Sequence, residues 1–203
     1  MILVAAERAF AKHGYAKTRM IDVANEAGLA IATVYTTIPG KEALYAAIHE
    51  QRGRALLDLA SNAAKTYTTA REALLHGLET YATFLADHPD YLRIHLNEAQ
   101  PWALDPRFLC EEQKRQWQQG LDLTTLVFRA AQAEGAVIDG DPELMARLMI
   151  AAHQVLLVRW VEEGMKRPVA DLVAQMKDHV ERAFFAASRG GAVSGEGAPG
   201  RAP

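Results

Sequence analysis

Apolar residues recur along this chain at intervals of three and four, with polar residues between them, and the runs that keep this period are bounded by glycine and proline. That is the mark of amphipathic helices; no run alternates in the period of two that a half-buried strand needs. Leu3, Ala6, Ala9 and Phe10 set one face of a helix over 2–13, which Gly14 stops. A second helix is predicted over 19–27, with Thr18 as N-cap and Asp22 suited to the electropositive helix start. Gly28 ends it, because the residue after a helix often takes a positive φ. A short helix follows over 31–37, Pro39-Gly40 makes a turn, and Lys41 opens a fourth helix to about residue 65. Further helices are predicted at about 69–87, 90–99, 106–134, 142–163 and 170–188. Asp105-Pro106 and Asp141-Pro142 each place a capping acid before a proline at the first helical position. His88-Pro89, Gln100-Pro101, Gly135 and the stretch from Gly164 to Pro168 supply the breaks. The expected fold class is all-α.

Within this pattern, residues 17–41 read as two short helices joined by a tight turn, with Ala24 four residues before Gly28 and Val34 six after it. Small residues at 24 and 28 let two helices approach closely. Val23, Ala27, Leu29 and Val34 point to a shared core, which Ile21 and Phe10 would close against the first helix. A bare three-helix bundle would want the same spacing; function enters with the third helix. Its outward residues should be Ile31, Ala32, Thr33, Thr36 and Thr37. Short side chains let a helix sit deep in a major groove, where threonine meets a base or a phosphate and an exposed isoleucine suits a thymine methyl. The layout is that of a DNA-reading helix-turn-helix.

Composition changes this picture little. The net charge is −3, which speaks against a wholesale nucleic-acid coat, yet residues 1–54 carry seven Lys/Arg against five Asp/Glu, so that end is slightly basic and the rest acidic. Cys110 is the single cysteine, so neither an internal disulfide nor a cysteine zinc cluster is expected. No apolar run approaches the roughly 20 residues of a membrane helix, and MILVAAERAF lacks the parts of a signal peptide. The expectation is a cytoplasmic protein with no membrane partner. An enzyme is the weaker reading: no histidine has a glutamate three residues before it, as a di-iron bundle requires, and neither HExxH nor GxSxG occurs. No catalytic residue, metal or cofactor is expected. The literal GxGxxG at 195–200 lies in the glycine- and proline-rich run 189–203, without a strand before it or a helix after it, and carries no weight.

The residues AAERAFAKHGYAKT, then IDVANEAG, then TVY and GKEAL resemble the TetR family of transcriptional regulators, and the pattern covers 3–45 without a gap. The resemblance implies a three-helix unit that binds operator DNA as a dimer, and a helical C-terminal region that binds a small effector. It implies that Thr18 contacts phosphate, that Thr33 and Tyr35 lie on the recognition helix with Tyr35 on the backbone, and that Lys41 meets a phosphate at a helix start. Arg19 stands where serine or threonine is usual and adds a possible phosphate contact. Ala30 replaces the usual capping residue, a loss of about 1 kcal/mol. Thr37 and Ile38 replace the usual aromatic or histidine and phenylalanine pair.

The expected organisation is thus a DNA-binding domain at 1–48 (helix-turn-helix about 19–38), a helical effector-binding and dimerisation domain at 49–188, and a disordered tail at 189–203. The last two long helices would make the homodimer, through Leu148, Ala152 and Val155 on one and Met176, Val180 and Phe184 on the other. Effector contacts are sought among His95, Glu98, Trp102, Phe108 and Trp117, where aromatics sit beside polar residues. The reading is a ligand-responsive regulator, a repressor that binds a palindromic operator as a dimer and is released by a small hydrophobic effector. The competing reading is a helical ligand-binding or scaffold protein that has lost DNA binding.

Overall fold

The computed structural model describes residues 1–64, 66–97 and 111–186. Its helices are α1 (Ile2–Lys17), α2 (Met20–Ala27), α3 (Ile31–Thr37), α4 (Lys41–Ala64), α5 (Ala70–Asp87), α6 (Pro89–Asn97), α7 (Glu111–Ala133), α8 (Pro142–Glu162) and α9 (Val169–Phe184). Glu98, Trp102, Phe108, Cys110 and the run 189–203 lie outside the described residues.

Gly14 does break the first helix: it takes φ 73°, ψ 163°, and one further turn follows the kink. Gly28 ends α2 in the left-handed conformation, φ 66°, and its N–H reaches back to the carbonyls of Ala24 and Asn25. The first three helices close over Val23, Ala24, Val34 and Phe10, all buried. Ile21 departs from the expectation. It faces outward, and Met20, one position earlier, fills the core instead. Thr18 also does not cap α2. Arg19 occupies that position, and its backbone N–H donates to the Asp22 carboxylate at 3.0 Å.

Helix α4 runs unbroken across the expected boundary at 48/49 and so belongs to both halves. Helix α1 packs on α2, α4 and α6, while α5 packs on α4, α7 and α9, and α8 lies between α7 and α9. Thr69 caps α5 with Glu72 in a reciprocal box, and Asp141 caps α8 ahead of Pro142. The last helix ends at Phe184 rather than 188, because the chain turns extended: Val137 and Phe185 form an antiparallel bridge, with Ile138 N–H donating to Phe184 O at 2.8 Å.

Two expectations are corrected here. Met176, Val180 and Phe184 do not face a partner; all three are buried in the chain's own core, where Phe184 meets Phe128 edge-on at 5.2 Å. They line the face that α9 turns to α5 and α8. Also, α8 is long and apolar enough to cross a membrane by length and composition, which no run was expected to be. It packs on α7 and α9 with Met145, Ala146, Met149, Leu157 and Trp160 buried, and core helices meet the same criterion.

Candidate nucleic-acid interface and ligand cavity

Helix α3 touches the core through Val34 alone. Ile31, Ala32, Thr33, Thr36 and Thr37 are exposed as the pattern predicts, and Tyr35 is 47 % exposed. Thr36 and Thr37 each donate their hydroxyl to the Thr33 carbonyl, at 2.8 and 3.0 Å, leaving oxygen lone pairs outward. Ala30 supplies no side-chain cap, as its methyl dictates.

The flanking residues are held in place by specific bonds. The Lys41 ammonium donates to the carbonyls of Tyr15 at 2.9 Å and Ala16 at 3.3 Å, and stands 4.5 Å above the Tyr15 ring. These carbonyls belong to the last turn of α1, which the Gly14 kink turns toward α4. Two of three ammonium hydrogens are thereby used. The Arg19 guanidinium is exposed and pairs with Asp22 through contacts of 3.1 and 2.8 Å. Hydrogen bonds from that guanidinium and from the Arg19 backbone hold the Asp22 carboxyl down at about 2. Thr18 is a correction. It is 2 % exposed, and its hydroxyl is turned inward to the carbonyls of Gly14 at 2.8 Å and Ala9 at 3.2 Å, so its side chain does not face a phosphate.

Behind this unit lies an ion pair that the pattern analysis missed. Arg52 on α4 grips Glu7 on α1 in a two-point fork, at 2.7 and 2.6 Å, with side chains 21 % and 7 % exposed. The signal was present: Glu7 sits on the apolar face of α1, among Ala6, Ala9 and Phe10, where a carboxylate needs a partner.

In the C-terminal half α4, α5, α6, α7 and α8 line a partly open cavity of about 270 Å³. His95 and Trp117 line it, as sought; so do His49, Tyr81, Gln116 and His153, which were not singled out. The Tyr81 hydroxyl lies 3.1 Å from His95 Nε2, and the Tyr91 hydroxyl 3.4 Å from His49 Nδ1. The Gln116 amide donates to the His49 carbonyl and, at 3.0 Å, to Glu112. Burial pushes the imidazoles down, His49 to about 3 and His95 and His153 to about 4, so all three are neutral at neutral pH. Burial likewise raises the Tyr81 phenol. These residues lie far apart in sequence, on several helices, and only packing reveals that they face one space. Among the described residues no cluster of three His, Cys, Asp or Glu is placed to hold a metal.

Residues 2–48 match the family model described as bacterial regulatory proteins, tetR family. This stretch, from α1 to the start of α4, is therefore similar to the N-terminal unit of that family. The TetR-type architecture extends over the rest of the fold. The ketosteroid transcriptional regulator KstR2 of Mycobacterium tuberculosis is 21 % identical with a TM-score of 0.77, covering 92 % of this chain and 94 % of its own. The fatty acid degradation regulator FadR from Bacillus halodurans is 19 % identical with a TM-score of 0.75, covering 87 % and 90 %. FadR from Bacillus subtilis, in complex with stearoyl-CoA, is 20 % identical with a TM-score of 0.74, covering 87 % and 94 %. At such identities the likeness establishes the fold. No curated protein matches the chain.

Proposed function

We propose that this protein is a TetR-family repressor that binds a palindromic operator as a homodimer and lets go when a small, largely apolar effector enters the cavity. The observation that carries the reading is the exposure of every residue of α3 except Val34, on a helix too short to have any other packing role. Residues 1–48 are the reading unit and 49–188 the effector and dimer unit, with α4 shared between them. Arg19, Ile31, Thr33, Tyr35, Thr36, Thr37 and Lys41 are the DNA-facing set. His95 and Trp117 belong to the effector site, and the solved structures of similar fold include regulators of fatty acid degradation and of ketosteroids.

Titrating labelled operator duplex, selected from random sequence, tests the reading directly. Affinity should fall steeply as salt rises, because each neutralised phosphate releases counterions. Lys41→Ala should weaken binding about tenfold on every sequence and reduce the salt slope by about one. A folded dimer that enriches no palindrome would instead be a ligand-binding protein that no longer reads DNA, as the uncapped Ala30 would allow.

A second copy of the chain is the proposed partner of α8. Leu144, Leu148 and Val155 form an exposed apolar line on that helix, the latter two at 53 % and 68 % exposure, with Ala152 beside them. Two reading helices must span half-sites about 34 Å apart, which a monomer cannot do. The expected result for Leu148→Glu with Val155→Glu is a folded monomer in sedimentation, with operator affinity lower by at least about a hundredfold. Retention of the dimer would remove this surface from the interface.

A further inference from the structure

Among the described residues three glycines stand in regular helix, Gly53 on α4, Gly77 on α5 and Gly120 on α7, and all three line the cavity. Only proline is a poorer helix former, so a glycine inside a helix calls for a reason. Packing supplies one for Gly53, because the Gln116 carboxamide lies where its β-carbon would be. Packing supplies none for Gly77 or Gly120. Beyond its own stretch of helix backbone, a β-carbon at either position would meet no heavy atom within 4 Å.

That open space belongs to the cavity. Residues three and four apart share a helix face. On α5, Leu74 and Tyr81 flank Gly77 at that spacing and line the cavity; on α7, Gln116 and Thr124 flank Gly120 in the same way. Both glycines are half-buried, as befits positions that face a partly open chamber. A cavity of about 270 Å³ is nearly twice the roughly 150 Å³ apolar cavity that holds one benzene ring. We propose that Gly77 and Gly120 select the effector by size: an apolar molecule with the bulk of about two fused rings lies against bare helix backbone at both, in the space that two methyl groups would otherwise fill. Contact with the backbone itself gives such a molecule dispersion partners that a one-ring molecule is too small to reach on both helices. The inference rests on the cavity being the effector site and adds the size of the effector and the two positions that choose it.

The test uses the full chain without DNA and two probes, toluene with one ring and naphthalene with two, followed by equilibrium dialysis. The native chain should bind naphthalene more tightly than toluene, because the larger molecule buries more apolar area. In the double variant Gly77→Ala with Gly120→Ala, the melting temperature of the empty protein should rise by about 4–8 °C, since each exchange improves a helix and places its methyl in open space. In the same variant naphthalene affinity should fall at least about tenfold, while toluene affinity changes less than about threefold. A purely structural role for the two glycines would not raise stability and lower affinity together, nor tell the probes apart. No naphthalene binding by the native chain, a loss that does not single out naphthalene, unchanged binding of both probes, or a variant that melts lower or does not fold would each overturn the proposal. The effector reading has its own readout: a naphthalene-loaded chain that holds operator as tightly as the empty one counts against that reading and leaves the size selection standing.

Discussion

Acidifying the protein from about pH 6.5 to about pH 5 is expected to remove about 4–5 kcal/mol of stability, most of it through three histidines. The imidazoles of His49, His95 and His153 are pushed by burial to about 3, 4 and 4. In the unfolded chain they titrate near 6.5. Between those values the unfolded state holds protons that the folded state refuses, so stability falls as pH falls through this window and levels off below the folded values. Each histidine contributes about 1.5 kcal/mol over the stated range, and typical domains have only about 5–15 kcal/mol in total. Asp22 acts in a separate window: with its carboxyl held at about 2 by Arg19, its contribution is kept down to about pH 4 and lost below that. Melting temperature followed against pH checks this. It should be flat above about pH 7.5 and drop steeply from about 6.5. A flat profile down to pH 5 would mean that these rings are not buried in the neutral form.

Glu7→Leu is expected to destabilise the fold by about 2–4 kcal/mol, and the double change Glu7→Leu with Arg52→Leu to recover most of it. The single change leaves the Arg52 guanidinium among α1, α4 and α6 without its carboxylate, whereas the double change replaces a desolvated ion pair by apolar contact. The figure lies below the limit for a fully buried pair because Arg52 keeps 21 % exposure. A urea-unfolding cycle over the four chains measures the coupling. If the single change were silent, the pair would be an incidental contact. Because it joins α1 to α4, the same substitution should also weaken operator binding.

Local chemistry explains which parts of this molecule were legible before its structure. Helix ends follow from Gly28 and Asp141-Pro142, each of which acts within a turn of its own position. The outward face of α3 follows equally, since a seven-residue helix with one core residue has no choice of orientation. Failures came where a residue's fate depends on a distant neighbour. Thr18 carries a good capping side chain, but the kink at Gly14 offers it two carbonyls and turns it inward. Met176, Val180 and Phe184 make an apolar stripe that fits a partner or a core equally well, and only the position of α5 and Phe128 decides for the core. The cavity was half-seen for the same reason: His95 and Trp117 stood in an aromatic-rich stretch, whereas His49 and His153 looked like ordinary helix residues until α4 and α8 were brought together across it.

Gly53 carries a practical warning for anyone wishing to toughen this protein. It lies midway along α4, where glycine weakens a helix by about 1 kcal/mol relative to alanine. The Gln116 carboxamide occupies the place where a β-carbon would be, on its way to the His49 carbonyl. Gly53→Ala, an obvious stabilising exchange, would therefore evict that amide from its berth and reshape the chamber wall, so that thermal robustness and ligand appetite would be traded against each other at one methyl group.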